Sequence, residues 1–458
     1  MTDAHGKVVV LHGENVMNKF PPYYPAAVDF GDKDGRFLAE EGFNAVRLGF
    51  FWSEAEPEPG VYNDAYIDQF RSSIQMLQRH GIITLLEAHF DSWGARYGGE
   101  GAPEWATFDD GRQDLKSDSL YAQALLNPAL QTAYANFLTN HPDKTGIGLI
   151  ERFSAMWKHV ASRMSGTQGL MAFGIFNQPY PGESTFACLA SLCPPEWNTL
   201  LNRMNSSVTA AIRSADRNTP VTYSDYLPAT YGAAVQVDPL PDSKSIFTFA
   251  SYCVAVILTK EYPACAIQYE NTFNQADAYS SANNLPAIVN EFGSTDSPLT
   301  LANVAEIADK KKMSWFHWAY YSNDPTILTS GTSDHSPIGL INRGQDKISG
   351  ANINDAIANA IVRPYPALTA GTPGDWNFDR ESGVFTYTWS TAKVDGSGSW
   401  PPRSVTEIVL PKRAYPNGYE VSITGGTVVS QPGAQILQIA STVDANTVSI
   451  EVKRGPHA

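Results

Sequence analysis

Two segments of the chain carry side chains suited to displacement at a glycosidic carbon. Pro286-Ala287-Ile288-Val289-Asn290-Glu291-Phe292-Gly293 ends an apolar run on a carboxylate, Glu291. Gly174-Ile175-Phe176-Asn177-Gln178-Pro179-Tyr180-Pro181 ends a similar run on an amide, Gln178. Double displacement with retention needs two carboxyl groups about 5–5.5 Å apart, one attacking the anomeric carbon and one passing a proton to the leaving oxygen and later taking one from water. An amide keeps nearly the same shape and hydrogen bonds but cannot give up that proton. If the second strand end is the proton-donor position, the expectation is a site that binds its glycoside and turns it over poorly, because an amide stands where the proton donor is needed. A plain strand-to-loop turn at Asn177-Gln178-Pro179 is the alternative reading of that segment.

The elements needed to position such a pair can be read along the chain. Short β-branched runs fall at Lys7–Leu11, Ala45–Gly49, Ile82–Glu87, Leu170–Phe176, Val221–Tyr223, Ile246–Phe249, Ala287–Asn290 and Met313–Trp318. Amphipathic patterns lie between them, such as Asp64–His80 with Ile67, Phe70, Ile74 and Leu77 on one face, and Gly148–Met164. Eight strand–helix alternations predict an α/β fold, a (β/α)8 TIM barrel over residues 1–362, with inserts near 88–127, 178–195 and 251–270. After Arg363-Pro364-Tyr365-Pro366 the pattern changes to period-two alternation: Phe385–Trp389, Val405–Leu410, Tyr419–Ile423, Gln435–Ile439 and Thr447–Val452. These segments predict a C-terminal antiparallel β-sandwich over 363–458.

Composition excludes several classes. The chain has 458 residues, 43% hydrophobic and 17% charged, with 32 basic against 47 acidic groups and a formal charge of −15. That balance argues against nucleic acid and against attraction to anionic membranes. No apolar run is long enough to span a bilayer. Four cysteines fall in two local pairs, Cys188 with Cys193 and Cys253 with Cys265. Two loop-stapling disulfides and a secreted protein are expected, with the leader absent from this sequence; four buried thiols are the other reading. The spacing suits no zinc site, and no metal or cofactor is expected.

Barrel active sites sit at the C-terminal strand ends, and the polar residues there complete the constellation. Strand one leads into His12-Gly13-Glu14-Asn15. Strand two carries Arg47, whose burial calls for a carboxylate partner such as an ionised nucleophile; a salt bridge unrelated to catalysis is the alternative. Strand three ends in Glu87-Ala88-His89-Phe90-Asp91, where His89 can hydrogen-bond a substrate hydroxyl or be a satisfied core residue, and Asp91 is a further candidate to bind substrate. Strand six ends in Tyr252, a candidate to orient the nucleophile. Strand eight ends in His317-Trp318, where an indole can floor a sugar ring or simply pack in the core.

Arg47, His89, Asn177 with position 178, Tyr252, Glu291 and Trp318 together resemble glycoside hydrolase family 5, in clan A. Asn15–Tyr23, Glu56-Pro57-Glu58-Pro59-Gly60-Val61-Tyr62 and Asn177-Gln178-Pro179-Tyr180-Pro181-Gly182 are similar to the endoglycoceramidases of that family, particularly the actinobacterial ones. The resemblance implies a retaining endo-β-glycosidase that cuts between an intact oligosaccharide and ceramide. It makes Glu291 the nucleophile and position 178 the acid/base, with Glu replaced here by Gln. It also implies that Asn177 contacts the sugar 2-hydroxyl and that Lys19 takes part in glycan recognition. Ala250 stands where many relatives carry a His, so no leaving-group contact is expected from it, and the role of His317 is open. The partner implied is a glycosphingolipid, met by a monomer at a micelle or membrane surface. Two apolar inserts are candidates to receive the lipid: Val254–Leu258, with Val256, Ile257 and Leu258 as lipid-binding residues, and Trp93–Gly99 with Trp105 and Phe108. Packing under neighbouring loops is the plainer reading of both. A family-5 polysaccharide β-glycanase, and a non-catalytic glycolipid binder in which Gln178 is native, are the competing functions.

Overall fold

The computed structural model of the chain describes residues 1–117, 123, 125–253, 255, 263, 265–321, 338–342 and 347–455. Eight parallel strands close a barrel: β2 (His12–Val16), β3 (Ala45–Phe50), β4 (Ile83–Ala88), β5 (Leu170–Gly174), β6 (Val221–Ser224), β7 (Ser245–Ser251), β8 (Ala287–Gly293) and β9 (Ser314–Trp318). β9 pairs back onto β2 through His12↔Trp315 and Glu14↔His317, so the barrel has no free edge. Amphipathic helices lie between strands. Asp64–Arg79 buries Ile67, Phe70, Ile74 and Leu77 as the periodicity requires, and Leu149–Met164 buries Phe153, Trp157 and Val160.

One barrel strand differs from the sequence expectation. The apolar run Lys7–Leu11 does not form strand one. Its Val8–Val9 (β1) pairs antiparallel with Thr369 and Leu368 in the C-terminal sheet. The barrel strand is the polar segment that follows it, His12–Val16, buried along its whole length. Its polar side chains tolerate burial because each finds a partner: His12 with Asp309, Glu14 with His317, and Asn15 with Arg47. Leu11 packs with Ala45, Ile246, Ile288 and Phe316 inside the barrel. Gly13 is needed beside them, since a Cβ there would stand 2.6 Å from the Phe316 ring.

The C-terminal region forms two antiparallel sheets. One has the order β1–β10–β13–β16–β15, where β10 is Tyr365–Thr369, β13 Val405–Val409, β15 Gly426–Val428 and β16 Ile436–Ser441. The other is β11–β12–β17–β14, with β11 at Thr372–Asp379, β12 at Val384–Ser390, β14 at Tyr419–Thr424 and β17 at Thr447–Arg454. Their inward faces bury Trp376, Phe385, Tyr387, Trp389, Ile408, Leu437 and Ile450 in one core. Between barrel and sandwich, the His12 ring lies stacked between Trp315 (4.2 Å) and Tyr365 (3.7 Å). His12 Nε2 sits 3.2 Å from Asp309, which is also paired with Arg363 at 2.7 Å. Both disulfides are formed, Cys188–Cys193 and Cys253–Cys265.

Candidate active site

The site is built around Arg47, which projects from β3 with no solvent exposure. Its guanidinium donates to Glu291 Oε1 at 2.6 Å, to Asn15 Oδ1 at 2.7 Å and to Asn177 Oδ1 at 2.8 Å, and it is ion-paired with Glu87. Side chains from β2, β3, β4 and β8, and from the end of β5, therefore meet on one planar cation. An arginine fits because its fork of five N–H donors serves several acceptors at fixed angles. Asn15 is anchored in turn by donating to the carbonyls of Asn290 (3.0 Å) and His317 (3.1 Å). The second oxygen of Glu291 accepts from the Tyr252 hydroxyl at 2.9 Å. Each Glu291 oxygen thus has a donor, and the carboxylate is held in one orientation, as an attacking group requires.

Gln178 lies just beyond β5 and is partly exposed. Its backbone is left-handed, φ 43°, in a region that non-glycine residues enter at a cost. Its neighbour Asn177 is fixed by N–H to Ala88 O (3.0 Å) and Nδ2 to Phe90 O (3.2 Å), which sets the direction in which position 178 leaves the strand. The Gln178 amide donates to Thr230 Oγ1 at 3.1 Å.

A second group gathers beside this one. Lys19 pairs with Asp91 and lies over the Trp318 indole, 4.6 Å from its centroid. His89 Nε2 is 3.2 Å from Asp91, and the His89 ring stacks on Trp318 at 5.4 Å. Burial pushes the His89 imidazole down from the usual histidine range, against the pull of Asp91. Burial alone would raise the Asp91 carboxyl, but Lys19 and His89 outweigh it and hold it well below the carboxylate range. Asp91 is therefore a fixed anion with two donors, flanked by an indole face. Met17, Ala250, Tyr252, Trp318 and Ala319 form an apolar cluster around these groups.

The structure thus gathers Lys19, Arg47, His89, Asp91, Asn177, Gln178, Tyr252, Glu291 and Trp318 at the C-terminal ends of the barrel strands. Val256, Ile257 and Leu258 lie outside the described residues. In the second apolar insert the plainer reading, packing under a neighbouring segment, holds for Trp93 and Tyr97. Trp93 and Tyr97 are fully buried, because Pro128–Leu138 covers them: Trp93 packs on Tyr134 (5.0 Å) and Phe137 (5.3 Å). Trp105 donates to the Glu56 carbonyl, and Phe108 stacks on His141. His317 faces away from the Arg47 group and pairs with Glu14 at 3.0 Å, both fully buried. Burial raises the Glu14 carboxyl, against the opposing pull of His317. Thr230 was missed, since Leu227–Tyr231 carries no pattern that points to chemistry. Among the described residues no group of three or more His, Cys, Asp or Glu side chains is arranged to hold a metal ion.

The profile of the Cellulase (glycosyl hydrolase family 5) family matches residues 3–324, and that of the family's C-terminal domain matches 363–453. The chain belongs to glycoside hydrolase family 5. Among curated proteins it is similar to Endoglycoceramidase I of Rhodococcus hoagii (strain 103S), 27% identical over 470 residues, covering 99% of this chain and 87% of that protein. Among solved structures it is similar to endo-glycoceramidase II from Rhodococcus sp. in its ganglioside GM3 complex, with a TM-score of 0.81, 21% identity and coverage of 100% of this chain and 99% of that one. An endogalactoceramidase crystal structure matches with a TM-score of 0.74 at 19% identity, over 99% of this chain and 98% of that one. These two structural matches share the barrel-plus-sandwich fold.

Proposed function

We propose that this family-5 hydrolase is a retaining endo-β-glycosidase for glycosphingolipids, cleaving between the intact oligosaccharide and ceramide, with its proton donor replaced by Gln178. The observation that carries this reading is Glu291 with both oxygens engaged, one by Arg47 at 2.6 Å and one by Tyr252 at 2.9 Å. Glu291 attacks the anomeric carbon next to the ceramide oxygen while Arg47 and Tyr252 keep it aimed. A glutamate at 178 would protonate the departing oxygen and then draw a proton from the water that releases the sugar. On this reading Asn177 meets the 2-hydroxyl of the same sugar and Trp318 floors a ring. Lys19, His89 and Asp91 offer donors and an acceptor to the glycan.

The substrate class rests on the similarity to named endoglycoceramidases over nearly the whole chain and on the character of the loops. Phe186 (55% exposed), Leu192 (73%) and Ile267 (85%) all follow barrel strands on the catalytic face, as do Phe20, Leu115, Leu126 and Leu299. Such residues suit contact with a lipid surface next to the scissile bond. Formed disulfides suit an oxidising, extracellular setting. The test is a substrate panel with Gln178→Glu: ganglioside and lactosylceramide micelles beside cellulose and mannan. Release of intact oligosaccharide from the glycolipids alone supports the reading. Cleavage of the polysaccharides alone overturns it.

A further inference from the structure

Leu227–Tyr231, a short 3-10 helix between β6 and β7, touches Gln178 directly and Glu291 only through Tyr252. Thr230, 4% exposed, accepts from the Gln178 amide through Oγ1 at 3.1 Å. The carbonyl of the same residue accepts from Tyr252 N–H at 3.4 Å, and Tyr252 donates to Glu291. The helix is tied at both ends. Leu227 N–H donates to Pro179 O at 2.9 Å, one residue past Gln178, and the Asn271 amide donates to Gly232 O at 2.8 Å. Tyr231 packs against the cluster of Met17, Ala250, Tyr252 and Trp318. A residue so bound cannot shift without moving position 178 or Tyr252.

We propose that Thr230 is a positioning residue for the proton-transfer group at position 178, a role that rests on the assignment of that position as the acid/base. The chemistry of a hydroxyl suits the task. It accepts from the amide present here, and it would donate to a carboxylate if position 178 were Glu, since a threonine carries both one donor and two lone pairs. The left-handed backbone at Gln178 places the side chain where an ordinary turn would not, and Thr230 holds it there. Donation to the ionised carboxylate favours the charged form and so lowers the pKa of a glutamate at 178. It also fixes the carboxyl, leaving the oxygen not bonded to Thr230 for proton transfer. The backbone link to Tyr252 does not depend on the Thr230 side chain, so substitution isolates the hydroxyl.

The experiment compares Gln178→Glu alone with Gln178→Glu combined with Thr230→Val and with Thr230→Ser. The carboxyl at 178 is followed by 13C NMR titration, its resonance identified as the one present in Gln178→Glu and absent from the parent. Thr230→Val is expected to raise that pKa by about one unit, the worth of one hydrogen bond to a charged group, and Thr230→Ser to restore it. The alkaline limb of hydrolysis of a soluble aryl lactoside moves upward in step. kcat on lactosylceramide falls about tenfold while hydrolysis of lactosyl fluoride, which needs little proton assistance, falls less. An unmoved titration, or a serine variant that behaves like the valine one, overturns the proposal. If Gln178→Glu cleaves no glycoside, the functional reading fails and the role of Thr230 in proton transfer falls with it; cleavage by Gln178→Glu with no response to Thr230→Val overturns the Thr230 proposal alone.

Discussion

Replacing Arg47 by Met tests whether one cation holds the site together. The substitution keeps much of the side-chain volume and removes the contacts to Glu291 at 2.6 Å, Asn15 at 2.7 Å and Asn177 at 2.8 Å, together with the Glu87 ion pair. Glu87 and Glu291 are then left buried, 1% and 4% exposed, with the cation that paired both of them gone. Breaking a buried ion pair by removing one partner costs about 3–5 kcal/mol. With an unfolding entropy of roughly 2.1 cal/mol/K per residue over 458 residues, that corresponds to a fall in Tm of about 3–5 °C. Thermal unfolding of both proteins measures this. A loss below about 1 kcal/mol refutes the picture of Arg47 as the shared partner of two buried carboxylates.

Two further outcomes follow from single contacts. Tyr252→Phe removes the 2.9 Å hydrogen bond to Glu291 and leaves the ring, so in the Gln178→Glu background kcat/KM should drop about tenfold on soluble lactosides with little change in Tm; an unaltered rate in stopped or continuous assays removes Tyr252 from the mechanism. Burial pushes His12 below its ordinary value of 6.5, against the upward pull of Asp309. A depressed histidine stays neutral in the folded chain while the unfolded chain takes up the proton, so its contribution to stability is present above pH 6.5 and lost as pH falls below it. His12→Phe, which keeps the stack between Trp315 and Tyr365, should lose less stability than the parent between pH 7.5 and pH 5.5, as read by denaturant unfolding. A parent and variant that lose stability in parallel contradict that reading.

What the sequence showed and what it hid have physical causes. Seven barrel strands were legible because parallel strands covered on both faces read as β-branched runs. The first was not, because its burial is stabilised by pairing of His12, Glu14 and Asn15 rather than by apolar area, while the neighbouring Val8–Val9 serves the other domain's sheet. Strand-end polar residues were legible because polar groups at the end of an apolar run need partners, and Arg47 shows the consequence by joining Glu291, Glu87, Asn15 and Asn177. The Trp93 loop stayed open between two readings because exposure cannot be read from composition; Pro128–Leu138 covers it. Thr230 was invisible because its importance comes only from where the 3-10 helix is tied.

The most direct test of the central claim, that Glu291 is the nucleophile and position 178 the proton-transfer site, is mass spectrometry of the chain after reaction with a 2-deoxy-2-fluoro lactosyl fluoride. Fluoride leaves without a proton donor, so Gln178 should not prevent the first step. The account predicts a single covalent glycosyl adduct located on Glu291, formed by this chain and by Gln178→Glu alike. An adduct on another residue, or none in either protein, would contradict it.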